Sequence, residues 1–133
     1  MEEVSHERLI EEAGKARDRA YAPYSNFKVG AAVCGESGNI YIGCNVESAS
    51  YGLTVCAERV AIWKGISMGE TRFKSIAVVV DTDDLTPPCG VCRQIIWEFC
   101  GDVPVVLSNL HGNTETIQMS ELLPRAFDSK FLK

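Results

Sequence analysis

Two short stretches, Thr54-Val-Cys-Ala-Glu-Arg59 and Pro87-Pro-Cys-Gly-Val-Cys-Arg-Gln94, decide how this 133-residue chain is interpreted. Their cysteines are Cys56, Cys89 and Cys92. Three such thiols can bind one zinc ion and leave its fourth position to water, which is typical of a catalytic zinc, whereas a structural zinc normally has four protein ligands. Glu58 is close enough to the first cysteine to move a proton on that water. The pattern therefore predicts hydrolytic chemistry.

The spacing of these residues also predicts where they lie. Cys89 and Cys92 are three residues apart and share one face of a helix. Cys56 and Glu58 are two residues apart, so they point to nearly opposite sides in mid-helix and converge only near a helix end. Thr54 is a good N-cap and places a helix start there. We therefore expect the zinc between two helix N-termini, at the carboxyl edge of the strands that precede them.

The rest of the chain has the hydrophobic patterns of helices and strands that follow one another along the sequence. We predict helices over residues 5–20, 54–67 and 88–101, with a short helical tail at 120–123. We predict strands over residues 27–34, 39–45, 75–80, 103–107 and 114–118, the first two forming a hairpin. This order predicts an α/β fold with a mixed five-stranded sheet and helices on both faces, a three-layer α/β/α sandwich. We expect one domain over residues 1–133.

The composition excludes several classes of protein. The net charge is −5 and no run of Lys or Arg occurs, whereas a domain that binds nucleic acid polymers usually carries a basic patch. No apolar stretch approaches the roughly 20 residues of a membrane helix. The acidic, polar first residues do not resemble a signal peptide. We expect a cytoplasmic protein with no membrane and no polynucleotide partner.

Three further cysteines, Cys34, Cys44 and Cys100, lie outside the two motifs. In a reducing compartment we expect them to be small buried hydrophobic residues. Cys34 and Cys44 flank a predicted turn, so the sequence alone leaves a disulfide between them geometrically open, and the inferred compartment argues against it.

A zinc ion with three thiolates carries a net charge of −1, which should raise the pKa of its water above the useful value of about 7. Two helix N-termini, each equivalent to about half a positive charge, would draw charge back from the sulfurs. Arg59 is the first choice for a side chain that hydrogen-bonds the thiolates, and Arg93 is the second.

A structural zinc is the main alternative at the metal itself. It would need a fourth protein ligand, and the histidines His6 and His111 are solitary and have polar neighbours. Cys100 would lie more than about 10 Å away along its helix. A catalytic zinc is therefore the favoured interpretation.

The two motifs together closely resemble those of the zinc-dependent cytidine deaminases. Residues 22–32, 43–52 and 122–127 also resemble segments of the small deaminases that act on free nucleosides, so the resemblance spans nearly the whole chain. It implies a cytidine deaminase-like fold and, in pyrimidine salvage, hydrolysis of cytidine and 2′-deoxycytidine to uridine and 2′-deoxyuridine plus ammonia. A zinc-bound hydroxide would be the nucleophile and Glu58 the proton shuttle, with Zn²⁺ as the cofactor. A homotetramer with shared active sites is also implied.

The same resemblance implies a set of substrate contacts. Asn45 and Glu47 would bind the sugar hydroxyls, Phe27 would form a wall against the base, the backbone of Ala57 would contact the pyrimidine, and Tyr51 and Phe127 would be active-site aromatics from neighbouring subunits. A carboxylate at Glu47 suits a neutral sugar and would repel a 5′-phosphate, which favours nucleosides. Without the family, Phe27 and Phe127 would read as core residues, Glu47 as a solvated charge and Asn45 as a turn residue.

Three residues depart from the family pattern: Ser48, Pro88 and Val91 stand where Asn, Ser and Ala are frequent. Val91 could narrow the pocket and alter substrate preference. One alternative function is a deaminase of another aminopyrimidine nucleoside such as blasticidin S, which the segment from Asn45 to Tyr51 disfavours. Another is a non-catalytic, zinc-stabilised binding protein, in which Glu58 would have no use. Action on polynucleotides is disfavoured by the acidic charge balance.

Overall fold

The structure is a computed structural model that describes residues 4–132, with a five-stranded mixed sheet between two layers of helices. The helices are α1 (His6–Arg17), α2 (Ala57–Ser67), α3 (Gly90–Cys100) and α4 (Met119–Leu122), with 3₁₀ turns at Tyr51–Leu53 and Ser129–Leu132. The strands are β1 (Val29–Gly35), β2 (Ile40–Cys44), β3 (Phe73–Val80), β4 (Pro104–Ser108) and β5 (Thr114–Gln118). The predicted element order and the three-layer α/β/α class are confirmed.

The strand order is β2-β1-β3-β4-β5. The β3–β4 pair is parallel, and the other three neighbouring pairs are antiparallel. Because β1 runs antiparallel to both β2 and β3, these two strands point the same way as β4. Their carboxyl ends therefore meet at one edge of the sheet, from which the chain continues into α2 and α3.

Successive side chains of the central strands point to opposite faces of the sheet and pack into two separate hydrophobic cores. On one face α1 buries Leu9 and Ala13 against a cluster that contains Ala32, Ala77 and Val106. On the other face α2 and α3 pack on a larger cluster, which includes Ala31, Ala61, Ile62, Val78, Ile96 and Leu107. The strands are thus buried on both faces, as the apolar run at 75–80 predicted.

A glycine lets α2 lie very close to the sheet. Gly43 sits in β2 beneath the first turns of α2, and a Cβ atom there would be 2.4 Å from the amide nitrogen of Ala61 and 2.8 Å from the carbonyl oxygen of Ala57. No substituent fits into that space unless the helix moves. The depth of the first turn of α2 relative to the sheet is therefore set by this contact.

Two predicted helix boundaries were wrong. The second helix has Cys56, not Thr54, as its N-cap, because residues 51–53 form a separate 3₁₀ turn. The Thr54 hydroxyl instead accepts a hydrogen bond from the amide of Ser48 at 3.1 Å. The first helix ends at Arg17 rather than near residue 20, because Tyr21 forms a β-bridge with Val46 and draws the chain away from the helix axis.

The disulfide left open by the sequence does not form. Cys34 pairs with Ile40 and Cys44 pairs with Gly30, so the two cysteines are four rungs apart on the β1–β2 ladder. At about 3.3 Å per residue their Cα atoms are roughly 13 Å apart along the strands, beyond the roughly 7 Å limit for a disulfide. All six cysteines are free thiols. No helix within residues 4–132 is long and apolar enough to cross a membrane.

Candidate metal centre and its pocket

The sulfurs of Cys56, Cys89 and Cys92 all lie within 4.8 Å of one another, at the carboxyl edge of the sheet. The Cys56 and Cys89 sulfurs are 3.8 Å apart. Two thiolates bound tetrahedrally to zinc, at Zn–S distances of about 2.3 Å, are also about 3.8 Å apart. The three sulfurs therefore fit three positions of a single tetrahedral zinc ion, and no fourth ligand joins this group within residues 4–132.

Two of the three sulfurs belong to helix N-caps. Cys56 caps α2 and Cys89 caps α3, both in extended backbone conformation, while Cys92 lies in the first turn of α3. Neither cap side chain accepts a hydrogen bond from its own helix. The sulfurs are thus free for a metal, and the positive ends of two helix dipoles face their negative charge.

Hydrogen bonding makes the Cys56 thiol unusually acidic. Hydrogen bonding by the thiols of Cys92 and Cys89 and the nearby guanidinium of Arg59 lower the pKa of Cys56 to about 5, against the opposing effect of burial. Donation to Cys56, together with burial, raises the pKa of Cys92. At neutral pH the cluster therefore already contains a thiolate, and a metal would displace the remaining protons.

Glu58 lies in the first turn of α2 and is only 4% exposed. Burial raises the pKa of its carboxyl group to about 7. Glu58 lines the same pocket as Cys56 and Cys89. A carboxyl group whose pKa lies near neutrality can both accept and return a proton efficiently, so the site contains a suitable acid–base group beside the sulfurs.

The pocket itself is small and mainly apolar. Its volume is about 210 Å³, and its walls include Phe27, Val29 and Val80. That volume is below the roughly 300 Å³ at which sites for drug-sized ligands begin. A single aromatic ring with a few polar groups is therefore the kind of ligand that this pocket suits.

A second cleft of about 320 Å³ adjoins the pocket, and Thr54 lines both. Its other lining residues are Tyr24, Ser25, Glu47 and Tyr51. The Glu47 carboxylate accepts hydrogen bonds from the amides of Tyr24 at 2.9 Å and Ser25 at 3.1 Å, and from the Ser25 hydroxyl. The Ser25 hydroxyl makes the largest contribution to a lowered pKa of Glu47. The cleft thus presents a fixed negative charge.

Asn45 supports the wall between the strands and the pocket. Its Oδ1 accepts a hydrogen bond from the amide of Val29 at 2.9 Å, and its Nδ2 donates to the carbonyl of Phe27 at 2.7 Å. Asn45 is buried and lines the pocket. One side-chain amide therefore holds the segment that carries Phe27 and also faces the pocket.

The remaining predicted substrate contacts lie in three different places. Ala57 is fully buried and lines the pocket, whereas Tyr51 is 78% exposed beside the second cleft. Phe127 lies outside both pocket linings, on the C-terminal segment, where its ring stacks on Phe131 at 5.6 Å. Within one chain, the structure does not bring Phe127 to the sulfurs.

The two arginines have different partners. Arg59 donates from Nη2 to the Thr54 carbonyl at 3.1 Å, and its guanidinium lies 5.7 Å from the Trp63 ring centroid. The guanidinium is also near enough to Cys56 to help lower the pKa of that thiol. Arg93, the second choice for a thiolate donor, instead donates to two main-chain carbonyls. Because its Nε and Nη1 donate to main-chain oxygens, the alternative in which Arg93 hydrogen-bonds the thiolates is corrected.

Thr54 and Thr86 are pocket residues that sequence reasoning missed in that role. Thr86 directly precedes the Pro-Pro-Cys motif, and its hydroxyl is 3.0 Å from that of Thr82. The buried Asn109 donates to the carbonyls of Thr82 and Asp83 and so fixes this loop. The position of Thr86 beside the motif could have indicated a place at the pocket.

Comparison with known proteins gives a consistent result. Residues 3–108 match the family model of the cytidine and deoxycytidylate deaminase zinc-binding region. A cytidine deaminase of Sporosarcina psychrophila is 52% identical over 127 residues, covering 95% of this chain and 93% of that protein. A cytidine deaminase of Halalkalibacterium halodurans is 49% identical over 128 residues, covering 96% of this chain and 97% of that protein. The crystal structure of cytidine deaminase from Burkholderia pseudomallei superposes with a TM-score of 0.90 at 47% identity, covering 93% of this chain and 100% of that one.

Proposed function

Because the chain belongs to the cytidine and deoxycytidylate deaminase family, we propose that it hydrolyses cytidine and 2′-deoxycytidine to uridine and 2′-deoxyuridine, with release of ammonia. One observation carries the proposal: three sulfurs form a cluster that fits a tetrahedral zinc ion, and two of them line one small pocket together with the buried Glu58. A structural zinc would explain the sulfurs but not the buried carboxyl group.

Cys56, Cys89 and Cys92 would hold the Zn²⁺. When bound, zinc supplies a Lewis acid that makes a water molecule sufficiently acidic to act as a nucleophile near neutral pH. Three thiolates weaken that effect. Arg59 and the two helix N-termini counter it, because each withdraws negative charge from the sulfurs.

Glu58 is proposed as the proton shuttle. Its carboxylate takes one proton from the attacking water and passes it to N3 of cytosine. It then takes the second proton from the hydroxyl group now on C4 and passes it to the amino group, which leaves as ammonia while the C4 oxygen becomes the carbonyl of uracil. Burial keeps bulk water from competing for these transfers. The raised pKa of about 7 suits a group that must gain and lose a proton in each turnover.

The two adjoining spaces suggest how a nucleoside binds. The base would occupy the 210 Å³ pocket against Phe27 and the Ala57 backbone. The sugar would extend past Asn45, which lines the same pocket, toward Glu47 in the neighbouring cleft. The ionised Glu47 can accept hydrogen bonds from sugar hydroxyls. The same charge would repel a 5′-phosphate, so we expect nucleosides to be preferred to nucleotides.

We further propose a homotetramer in which Tyr51 and Phe127 serve the active sites of neighbouring subunits. The exposure of both aromatic rings and the distance of Phe127 from its own pocket support this arrangement. Light scattering would measure the assembly. Mixing Glu58→Gln and Phe127→Ala subunits should restore part of the activity, because some sites would then combine an intact Glu58 with an intact Phe127. A fully active monomer would exclude shared sites.

A role in pyrimidine salvage in the cytoplasm is part of the proposal. Six free thiols, three of them proposed zinc ligands, suit a reducing compartment. Fractionation of cells that make the protein at its natural level would test this location. Recovery of the protein from an oxidising compartment would contradict it.

The direct test of function uses the zinc-loaded protein with cytidine, 2′-deoxycytidine, cytidine 5′-monophosphate and blasticidin S. Loss of the cytosine absorbance and chromatographic detection of uridine measure turnover, with chelator-treated protein as the control. We expect the two nucleosides to have the highest kcat/KM. No conversion of either nucleoside would refute the proposal, and faster turnover of blasticidin S would reassign the substrate.

A further inference from the structure

Arg93 joins three parts of the molecule through one side chain. It directly follows Cys92 in α3, and its own amide donates to the carbonyl of Cys89 at 2.9 Å. Its Nε donates to the carbonyl of Pro88 at 2.8 Å, and its Nη1 donates to the carbonyl of Leu122 at 2.9 Å. The guanidinium thus connects the loop before α3 with the end of α4.

The Pro88 carbonyl has a particular need for this donor. Pro87 and Pro88 have no N–H groups, so the loop before α3 has few donors of its own. Pro88 is buried, and a buried carbonyl requires a hydrogen-bond partner. The Arg93 guanidinium supplies a charged one, which makes a stronger bond than a neutral donor would.

That carbonyl belongs to the peptide group whose nitrogen is the nitrogen of Cys89. Fixing the plane of this peptide fixes the Cys89 backbone, which has φ −65° and ψ 165°, and so aims its Cβ and sulfur. The Cys89 residue is exposed and its side chain makes no capping hydrogen bond. Its orientation before a metal binds therefore depends strongly on the main chain that Arg93 holds.

The other end of the guanidinium is anchored by a larger contact. Gln94 donates from Nε2 to the Phe127 carbonyl at 2.6 Å, and Trp97 donates from Nε1 to Asp128 Oδ2 at 3.4 Å. One side of α3 therefore binds the segment 122–128 at three points. Of these three side chains, Arg93 is the one that also bonds the loop carrying Cys89.

We propose that Arg93 is a positioning residue that holds Cys89 in its metal-binding orientation. It does so by fixing the Pro88 carbonyl with a guanidinium that is itself anchored on Leu122. The inference rests on the proposed zinc site but not on the identity of the substrate. This positioning role requires the planar guanidinium of arginine, because the single ammonium group of a lysine cannot reproduce two donors in fixed directions.

The test measures how firmly zinc is held, independently of turnover. Arg93→Met keeps the aliphatic stem and removes both donors, Arg93→Lys keeps the charge, and Gln94→Ala removes a neighbouring contact to the C-terminal segment without touching Pro88. Zinc release to a chromophoric chelator gives the rate, and the absorption spectrum of the cobalt-substituted protein reports the geometry of the sulfurs. Circular dichroism checks the fold of each variant.

For Arg93→Met we expect zinc to be released about 10–100-fold faster, in line with the usual weakening of metal binding when an outer partner of a ligand is lost. Arg93→Lys should recover only part of this loss, and the cobalt spectrum should change in both. Gln94→Ala should release zinc at the wild-type rate.

Three results would overturn the proposal: wild-type zinc retention in Arg93→Met, complete recovery in Arg93→Lys, or an equal loss in Gln94→Ala. If Arg93→Met does not fold, the contrast between Arg93→Lys and Gln94→Ala decides the matter alone. A wild-type protein that holds zinc but does not deaminate nucleosides would refute the proposed function and leave this test intact.

Discussion

The starts of α2 and α3 have the same backbone geometry and different surroundings. Each begins with a cysteine N-cap, at φ −72° and ψ 154° for Cys56 and at φ −65° and ψ 165° for Cys89. After Cys56 the chain buries Ala57 and Glu58, whereas after Cys89 it exposes Gly90 and Val91. The same cap geometry therefore places a sulfur at the start of both helices. Only the start of α2 also carries a buried carboxyl group, that of Glu58, which can act as an acid–base group.

The two helix starts also differ in how they are supported. Arg59, in the first turn of α2, places its positive charge where it helps to lower the pKa of the Cys56 thiol. Arg93 acts on the main chain that precedes α3. We therefore expect changes near α2 to affect the chemical step most and changes near α3 to affect metal retention most. The four predictions below test this division, in order of decreasing expected effect.

The largest effect is expected at the buried carboxyl group of α2. Glu58→Gln should lower kcat by about 10⁴-fold, the upper end of the range for a general acid–base group, because the residue serves several proton transfers. Its zinc content should be unchanged by metal analysis. Glu98→Gln, an exposed carboxylate on α3, is the matched control and should be as active as the wild type. Substantial turnover by Glu58→Gln would show that the acid–base group lies elsewhere.

The second prediction concerns the pH dependence of stability in the metal-free protein. The folded-state pKa of Glu58, about 7, is above its ordinary value of 4.5, so the folded state keeps a proton that the unfolded state has lost. The resulting stability is fully present below pH 4.5 and is lost as the pH rises to about 7 and above. At roughly 1.4 kcal/mol per pKa unit, the loss is about 3 kcal/mol.

Urea unfolding of wild type and Glu58→Gln at several pH values measures this effect. Cys56, with its pKa lowered to about 5, contributes in the opposite direction, but it is present in both proteins and largely cancels in their difference. A difference in the free energy of unfolding that does not change between pH 4.5 and 8 would mean that Glu58 is not buried in solution.

The third prediction separates the two sulfurs of α3. Cys92→Ala and Cys89→Ala should both lose zinc, because each removes a ligand. In the metal-free proteins Cys92→Ala should cost about 1–3 kcal/mol of unfolding free energy, since the thiol is fully buried, whereas Cys89→Ala should cost little. Chemical denaturation in the presence of a chelator gives both values. Equal costs would show that Cys89 is not exposed in the free protein.

The smallest effect is expected at Arg59. Arg59→Met should retain the fold and the zinc but lower kcat by about tenfold, because a positive charge beside the thiolates is lost. The pH–rate profile should shift at the same time, since the charge on the sulfurs changes. Arg93→Met is the variant for comparison, because it should weaken zinc binding, whereas Arg59→Met should leave zinc binding unchanged. Loss of zinc from Arg59→Met with an unaltered pH–rate profile would remove the distinction between the two arginines.

The sequence was sufficient for the parts of the fold that depend on local pattern. The apolar run at 75–80 and the Gly-Asn turn before residue 114 correctly predicted β3 and β5. The predicted start of α2 was wrong because the Thr54 hydroxyl accepts a hydrogen bond from the amide of Ser48 and does not cap the helix. Thr54 follows a 3₁₀ turn at Tyr51–Leu53 that the sequence pattern did not predict. The predicted end of α1 was wrong because the bridge between Tyr21 and Val46 is a tertiary contact, which competes with helix propensity.

The candidate site shows the same limit. Helix spacing was enough to place Cys89 and Cys92 on one face of α3, because that geometry is local. Cys56 joins them from 33 residues away, and the ligand set of a zinc site, not helix spacing, predicted that contact. The partners of Asn45 are 16 and 18 residues away, and the second partner of Arg93 is 29 residues away. These contacts depend on how the strands and helices pack against one another. The sequence therefore shows that Arg93 lies next to the motif, but it does not show which partners its side chain contacts.

Gly43 has a consequence for how this protein could evolve. It carries no chemistry, yet any replacement would add an atom within 2.4 Å of the α2 backbone and lift the turn that carries Cys56 and Glu58. Selection on deamination should therefore act on a strand residue that never meets the substrate. In a library of random variants we expect this position to be as intolerant as a ligand, and its suppressors to map to residues beneath α2 rather than to the pocket.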